Sequence, residues 1–129
     1  MSIFRRGRGG PGRVTVQEAA ARTGHGNAGD SGGDAVLLDV RELHEWQAGH
    51  APRAVHLPLS TLAAEAGLPA EAQARPLVVI CRSGNRSRRA AELLVAWGAQ
   101  AVDVIGGMGD WAEAGLPVVD ARGGNGTVA

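Results

Sequence analysis

Leu77-Val78-Val79-Ile80-Cys81-Arg82-Ser83-Gly84-Asn85-Arg86-Ser87 is the stretch on which the reading of this chain turns. An unbroken apolar run with three β-branched residues, Val78, Val79 and Ile80, reads as a strand covered on both faces. It breaks into a polar, arginine-rich loop, and Gly84 lets the backbone take positive φ there. A helix follows over residues 87 to 97. Ala90, Ala91, Leu94 and Trp97 fall at helical spacing for one buried face, Ser87 is placed to cap the start, and Gly98 offers a left-handed stop. A strand, tight loop and helix in that order aim backbone N–H groups and a positive helix end at one point, where Cys81 stands.

Outward from this joint the chain alternates strands and helices. Upstream, Val14-Thr15-Val16 runs into a brief helix to Arg22 with Thr15 as N-cap, residues 24 to 33 form a turn-rich connector, and residues 36 to 40 read as a covered strand. A short helix over 42 to 48 stops at Gly49, a second strand covers 54 to 57, and alanine-rich helical pieces span 61 to 66 and 69 to 74. Downstream lie a strand over 102 to 105, a short helix over 108 to 114 and the apolar pair Val118-Val119. This order predicts an α/β fold, a central, mostly parallel sheet with helices on both faces. Ligands in such sheets bind beyond the carboxyl ends of the strands, and Cys81 falls at one. The expected organisation is a flexible arginine- and glycine-rich tail over 1–13, one domain over 14–120 and a flexible tail over 121–129.

Composition narrows the classes of function. At 129 residues the chain is one domain in size. Its 13 basic residues balance its 13 acidic ones, so no net charge draws it to nucleic acid or to an acidic membrane. No stretch approaches the ~20 apolar residues of a membrane span. The first 13 residues hold no apolar segment of the secretory kind, which predicts a cytoplasmic protein. Arg5, Arg6, Arg8 and Arg13 either touch an anionic surface or are simply solvated. One cysteine forms no internal disulfide and no cysteine-rich metal site, so Cys81 is either a small core residue or a reactive thiol.

The loop favours reactivity. Cysteines at helix N-termini and beside cations have pKa values of about 3.5 to 7.5, against ~8.5 unperturbed, and Arg82, Arg86, Arg88 and Arg89 supply the cations. N–H groups that hold a thiolate also receive an anionic substrate, so Cys81 is the candidate nucleophile and Arg82, Ser83, Gly84, Asn85, Arg86 and Ser87 the candidate substrate cradle. No separate base is required. His25, His44, His50 and His56 lie well upstream, and no histidine pair has metal-ligand spacing. His50, in a Gly-His-Ala-Pro turn, reads as a tie for the backbone. Asp39 closes an apolar strand and Arg41 lies on its side of the chain, which makes them a structural ion pair, a brace for the Cys81 loop, or both. Trp46, Trp97 and Trp111 read as core or wall residues.

Four segments together resemble the rhodanese (thiosulfate sulfurtransferase) family in its single-domain form. They are residues 37–42 with Trp46, residues 49–59, the loop 81–87, and Gly106-Gly107-Met108-Gly109-Asp110-Trp111, and they occur in the family's order. The resemblance implies a rhodanese-like fold and a cysteine, here Cys81, that carries a transferable sulfane sulfur as a persulfide. It implies that the loop wraps that sulfur with N–H groups, that Asp39 supports the loop, and that Arg82 and Arg86 bind an anionic donor. No cofactor is implied. The expected partners are a small anionic sulfur donor such as thiosulfate, a cyanide or thiol acceptor, and a sulfur-accepting protein as a further option, with neither nucleic acid nor membrane. Two rivals stand beside it. One is a non-catalytic or slow sulfur-carrier or binding module. The other is a cysteine phosphatase or arsenate reductase, whose pattern resembles one with arginine at the position that Ser87 fills here.

Overall fold

The computed structural model describes residues 12–25, 34–64 and 67–129. The expected N-terminal tail, apart from its last two residues, lies outside them, as do most of the connector at 24 to 33 and the end of the helical piece at 61 to 66. Five strands form one sheet: β1 (Arg13–Val14), β2 (Val36–Asp39), β3 (Val55–His56), β4 (Leu77–Ile80) and β5 (Ala101–Val104). The order is β1-β5-β4-β2-β3, and every pairing is parallel. The helices are α1 (Val16–Arg22), α2 (Leu43–Ala48), α3 (Leu59–Ala63), α4 (Asn85–Ala96) and α5 (Gly107–Glu113). Arg13, counted with the tail in the sequence reading, is the first residue of β1.

Side-chain alternation sorts the core onto two faces. Leu37, Val78, Ile80, Val102 and Val104 pack with α1 and α5 through Val16, Ala19, Ala20, Met108 and Trp111. Val36, Leu38, Leu77, Val79, Cys81 and Ala101 pack on the other face with α3 and α4 through Leu62, Ala90, Ala91 and Leu94. Strands covered on both sides need apolar residues at every position, which is why β4 reads as a continuous run. Each such side chain is worth about 1.5–3 kcal/mol of burial, so the end of β4 is a rigid base.

The expected Thr15 cap is present, and several other local expectations change. Thr15 caps α1 with a full box, accepting from Glu18 N at 3.1 Å while Glu18 Oε1 accepts from Thr15 N at 2.9 Å. The piece at 69 to 74 shrinks to a single 3₁₀ turn, Ala70–Ala72, entered at Pro69 and left at Gln73, which is already extended at ψ 140°, before Ala74 at φ 60°. Trp97, read as the last member of the buried stripe, instead follows the end of α4 at Ala96 and has 46% of its surface exposed. The closing residues, expected to be flexible from 121, lie against α2: Ala121 N donates to Gln47 O, Thr127 N to Ala48 O, and Val119 pairs with His50.

Candidate active site

The neighbours of β4 place Cys81. The chain leaves β3 on one edge and returns through β4 in the middle, so the order reverses between β2 and β4, the kind of point at which open α/β sheets bind ligands. Cys81 extends the β4 register onto the α4 face, directly under the first turn of that helix. Ser87 is not the N-cap. Gly84 holds that position at φ 109°, a left-handed conformation that favours glycine, and α4 begins at Asn85. Ser87 therefore sits inside the first turn, buried and facing the sulfur.

The Gly84 amide and the Ser87 hydroxyl both meet Cys81 Sγ. Gly84 N–H reaches it at 3.1 Å and the Ser87 hydroxyl oxygen lies at 3.4 Å. Burial pushes the Cys81 thiol up; hydrogen bonds from the Ser87 side chain and the N–H groups of Ser87, Gly84 and Ser83 together outweigh it, leaving the thiol below its ordinary value. The sulfur is covered: Cys81 is 1% exposed. It is nonetheless met by the Gly84 amide and the Ser87 hydroxyl rather than by hydrocarbon alone. In the thiol state the chain of bonds runs from S–H to Ser87 Oγ and from the Ser87 hydroxyl to Asp103 Oδ2 at 3.3 Å.

The arginines do not point at the sulfur. Arg86 forms a two-pronged pair with Glu45, at 2.6 and 2.8 Å, and is held charged chiefly by that partner, with Cys81 among the negative groups it feels. Arg82 is exposed and its Nε donates to Ala129 O at 2.8 Å. Arg88, Arg89, Ser83 and Asn85 are exposed on the rim. Asp39 and Arg41 form a fully buried pair at 2.7 Å, and Arg41 Nη2 also donates to Gly49 O at 2.7 Å. Strand parity explains their separation from the loop: Asp39 lies on the face of Leu37 and Ile80, opposite Cys81, so their bonds run to each other and to the Gly49 turn.

The sequence reading passed over the groups that do tie the loop down. Glu45 reaches it from α2, Asp103 from β5, and Arg13 from β1 through Asp103 and Gly84 O. A charged residue at the third position of β5, between Val102 and Val104, was the available signal for Asp103. From the far side α5 closes the loop, with Met108 N donating to Cys81 O at 2.7 Å and Gly109 N to Arg82 O at 3.0 Å. Gly107 makes that approach possible: a Cβ there would lie 2.7 Å from the carbonyl carbon of Arg82.

His50 donates Nδ1–H to Trp46 O at 2.7 Å and stacks on the Trp46 ring, and His56 binds Arg41 O at 2.7 Å beside the same ring. Both histidines hold backbone. Among the described residues, no group of three or more histidine, cysteine, aspartate or glutamate side chains is placed to hold a metal ion. No helix among them is long and apolar enough to cross a membrane.

A five-stranded parallel sheet with a hydrogen-bonded cysteine at its switch point, under the first turn of a helix, defines the class of α/β domain to which this chain is to be compared. Residues 15–114 match the family model of the rhodanese-like domain, and the chain belongs to that family. It is 41% identical over 90 residues to an adenylyltransferase and sulfurtransferase (MOCS3-2) of Zea mays, covering 65% of this chain and 19% of that protein. It is 42% identical over 81 residues to the thiosulfate sulfurtransferase GlpE of Pseudomonas savastanoi, covering 60% of this chain and 72% of the relative. A solved rhodanese-related protein of Thermoplasma volcanium superposes with a TM-score of 0.59 at 36% identity, over 67% of this chain and 84% of that one. The first curated relatives are longer proteins, of which this chain spans 19% to 48%.

Proposed function

We propose that this domain is a sulfurtransferase that takes a sulfane sulfur from thiosulfate or a similar anionic donor onto Cys81 and passes it to cyanide or a thiol. The observation that carries the reading is the chain's one cysteine at the end of β4, with the Gly84 amide on its Sγ at 3.1 Å and the Ser87 hydroxyl 3.4 Å away. Cys81 thiolate attacks the outer sulfur of thiosulfate, a Cys81–sulfur bond forms, and the sulfur–sulfur bond to sulfite breaks with sulfite taking the electron pair. The terminal sulfur of the persulfide is then attacked by cyanide, which leaves as thiocyanate and returns the thiolate. The amides that favour the thiolate favour the anionic persulfide equally, and Arg82 with Arg86 supplies positive charge at the mouth. With no second cysteine, the persulfide passes to an external acceptor, a small molecule or a protein. The reaction needs no cofactor, and we place it in the cytoplasm.

Intact mass after incubation with thiosulfate tests this. The expected result is a gain of one sulfur that cyanide removes and that Cys81→Ser lacks; an unchanged mass overturns the reading. The near-complete cover over Cys81 favours a second reading, a sulfur carrier that loads slowly and unloads within a complex. A stable adduct with little steady-state thiocyanate production selects the carrier. The phosphatase is disfavoured because Ser87 replaces the arginine of that loop, and aryl phosphate hydrolysis by Cys81 would reverse this judgement.

A further inference from the structure

Ser87 has one hydroxyl proton and two groups that want it. Its Oγ stands 3.4 Å from Cys81 Sγ and 3.3 Å from Asp103 Oδ2. Asp103 is 1% exposed, and its two oxygens also accept from Arg13: Nε donates at 3.0 Å to Oδ1 and Nη2 at 3.1 Å to Oδ2. Arg13 Nη2 further donates to Gly84 O at 3.3 Å, so the same guanidinium grips the loop residue whose N–H binds the sulfur.

We infer that Arg13 and Asp103 are positioning residues that set the direction of the Ser87 hydroxyl and thereby the ionisation of Cys81. The inference rests on Cys81 being the nucleophile. While the thiol keeps its proton, S–H donates to Ser87 and Ser87 donates to Asp103. When the proton leaves for solvent, the hydroxyl must rotate and donate to the sulfur. Asp103 then loses one donor in a buried place, a loss a bare carboxylate could not bear cheaply. The two N–H groups of Arg13 remain on it, which lets Ser87 turn away. No other atom moves and no covalent bond beyond S–H changes. The remaining charges near Cys81 are Arg86 with Glu45 across the α4–α2 gap, Arg88 and Arg89 exposed near the start of α4, Arg82 on the loop, Asp110 at the start of α5, and the Asp39–Arg41 pair on the opposite face of β2.

The test reads thiolate absorbance against pH, which reports Cys81 alone because the chain has one cysteine and no tyrosine. Arg13→Gln leaves the Ser87 proton bound to Asp103 and raises the Cys81 midpoint by about one pH unit, a tenfold loss of thiolate below it. Asp103→Asn removes the competitor and lowers the midpoint, and the double variant returns to or below that of the parent. In a Ser87→Ala background both shifts shrink to less than about half, because the hydroxyl that transmits them is gone; shifts of full size there mean through-space charge and overturn the inference. So does an Arg13→Gln midpoint that stays put. Arg13 is 35% exposed on an edge strand, so its variant decides the matter even if Asp103→Asn does not fold. A parent chain that titrates as described yet gains no sulfur from thiosulfate refutes the proposed function and leaves this inference standing.

Discussion

Gly84 is where one residue's conformation becomes chemistry. At φ 109° it turns its N–H onto Cys81 Sγ at 3.1 Å, and an alanine there would bring its Cβ within 3.1 Å of Arg13 Nη2. A left-handed alanine costs about 1–2 kcal/mol, and relief of that strain would rotate the amide away from the sulfur. Gly84→Ala is therefore expected to lower the thermal midpoint by a few degrees and to raise the Cys81 titration midpoint together; a variant that loses stability while its thiol titrates as before would show that this amide contributes nothing to the thiolate. Gly107 has a steric task instead. Its missing side chain lets α5 come close enough for Met108 and Gly109 to bind the carbonyls of Cys81 and Arg82, so Gly107→Ala is expected to destabilise the fold by about 2 kcal/mol in urea unfolding.

At the scale of elements, α2 and α4 are joined across the mouth of the site by Glu45 and Arg86. The Arg86 hydrogen bonds lower the Glu45 carboxyl to about 2, against burial that opposes ionisation and with help from the Glu42 amide. A depressed carboxylate stabilises the fold above its ordinary pKa and ceases to do so as pH falls through the folded value, here from about 4.5 to about 2. With Arg86 one-third exposed, solvent screening holds the contribution to about 1 kcal/mol. Glu45→Gln is expected to lose that amount at neutral pH and to flatten the acid limb of the unfolding curve below pH ~4.5; an acid limb unchanged from the parent's would remove the pair from the account. This tie was hard to read in sequence because it joins residues 41 positions apart on two different helices. The β4 strand, its loop and α4 were legible because they are contiguous and each obeys its own period. The Asp39–Arg41 pair was legible too, being two residues apart in an extended chain, but whether it faced the loop depended on β2–β4 register, which only pairing fixes. Ser87 was misplaced as a cap for a related reason: glycine and serine both suit that position, and the left-handed turn at Gly84 decided it.

Across the whole molecule, the other face of the sheet carries a second acid-sensitive group far in sequence from the loop. His25 is buried, edge-on to Trp111 at 5.1 Å, and its Nε2 accepts from Arg53 N–H at 2.9 Å. Its Nδ1 lies 2.8 Å from Thr23 Oγ1, which itself donates to Ala19 O at 2.8 Å, so the network assigns the ring proton to Nδ1. Adding a second proton would turn Nε2 from acceptor to donor against a backbone N–H. Burial, and after it the Arg53 charge, lower this histidine to about 4. The unfolded chain then binds the proton first, so the His25 contribution is complete above about 6.5 and is lost as pH falls to about 4, a change of about 2 kcal/mol once screening is allowed for. Glu45 begins to fail only at the acid end of that window, below about 4.5, so acid weakens the fold in two overlapping steps, first on the α1–α5 face and then at the mouth of the site. Urea midpoints measured across the pH range should fall between pH ~6.5 and ~4 in the parent chain and stay level there in His25→Gln, whose amide can keep one of the two bonds without titrating. A His25→Gln variant with the parent's slope would assign the first step to some other group and leave His25 as an ordinary neutral core residue.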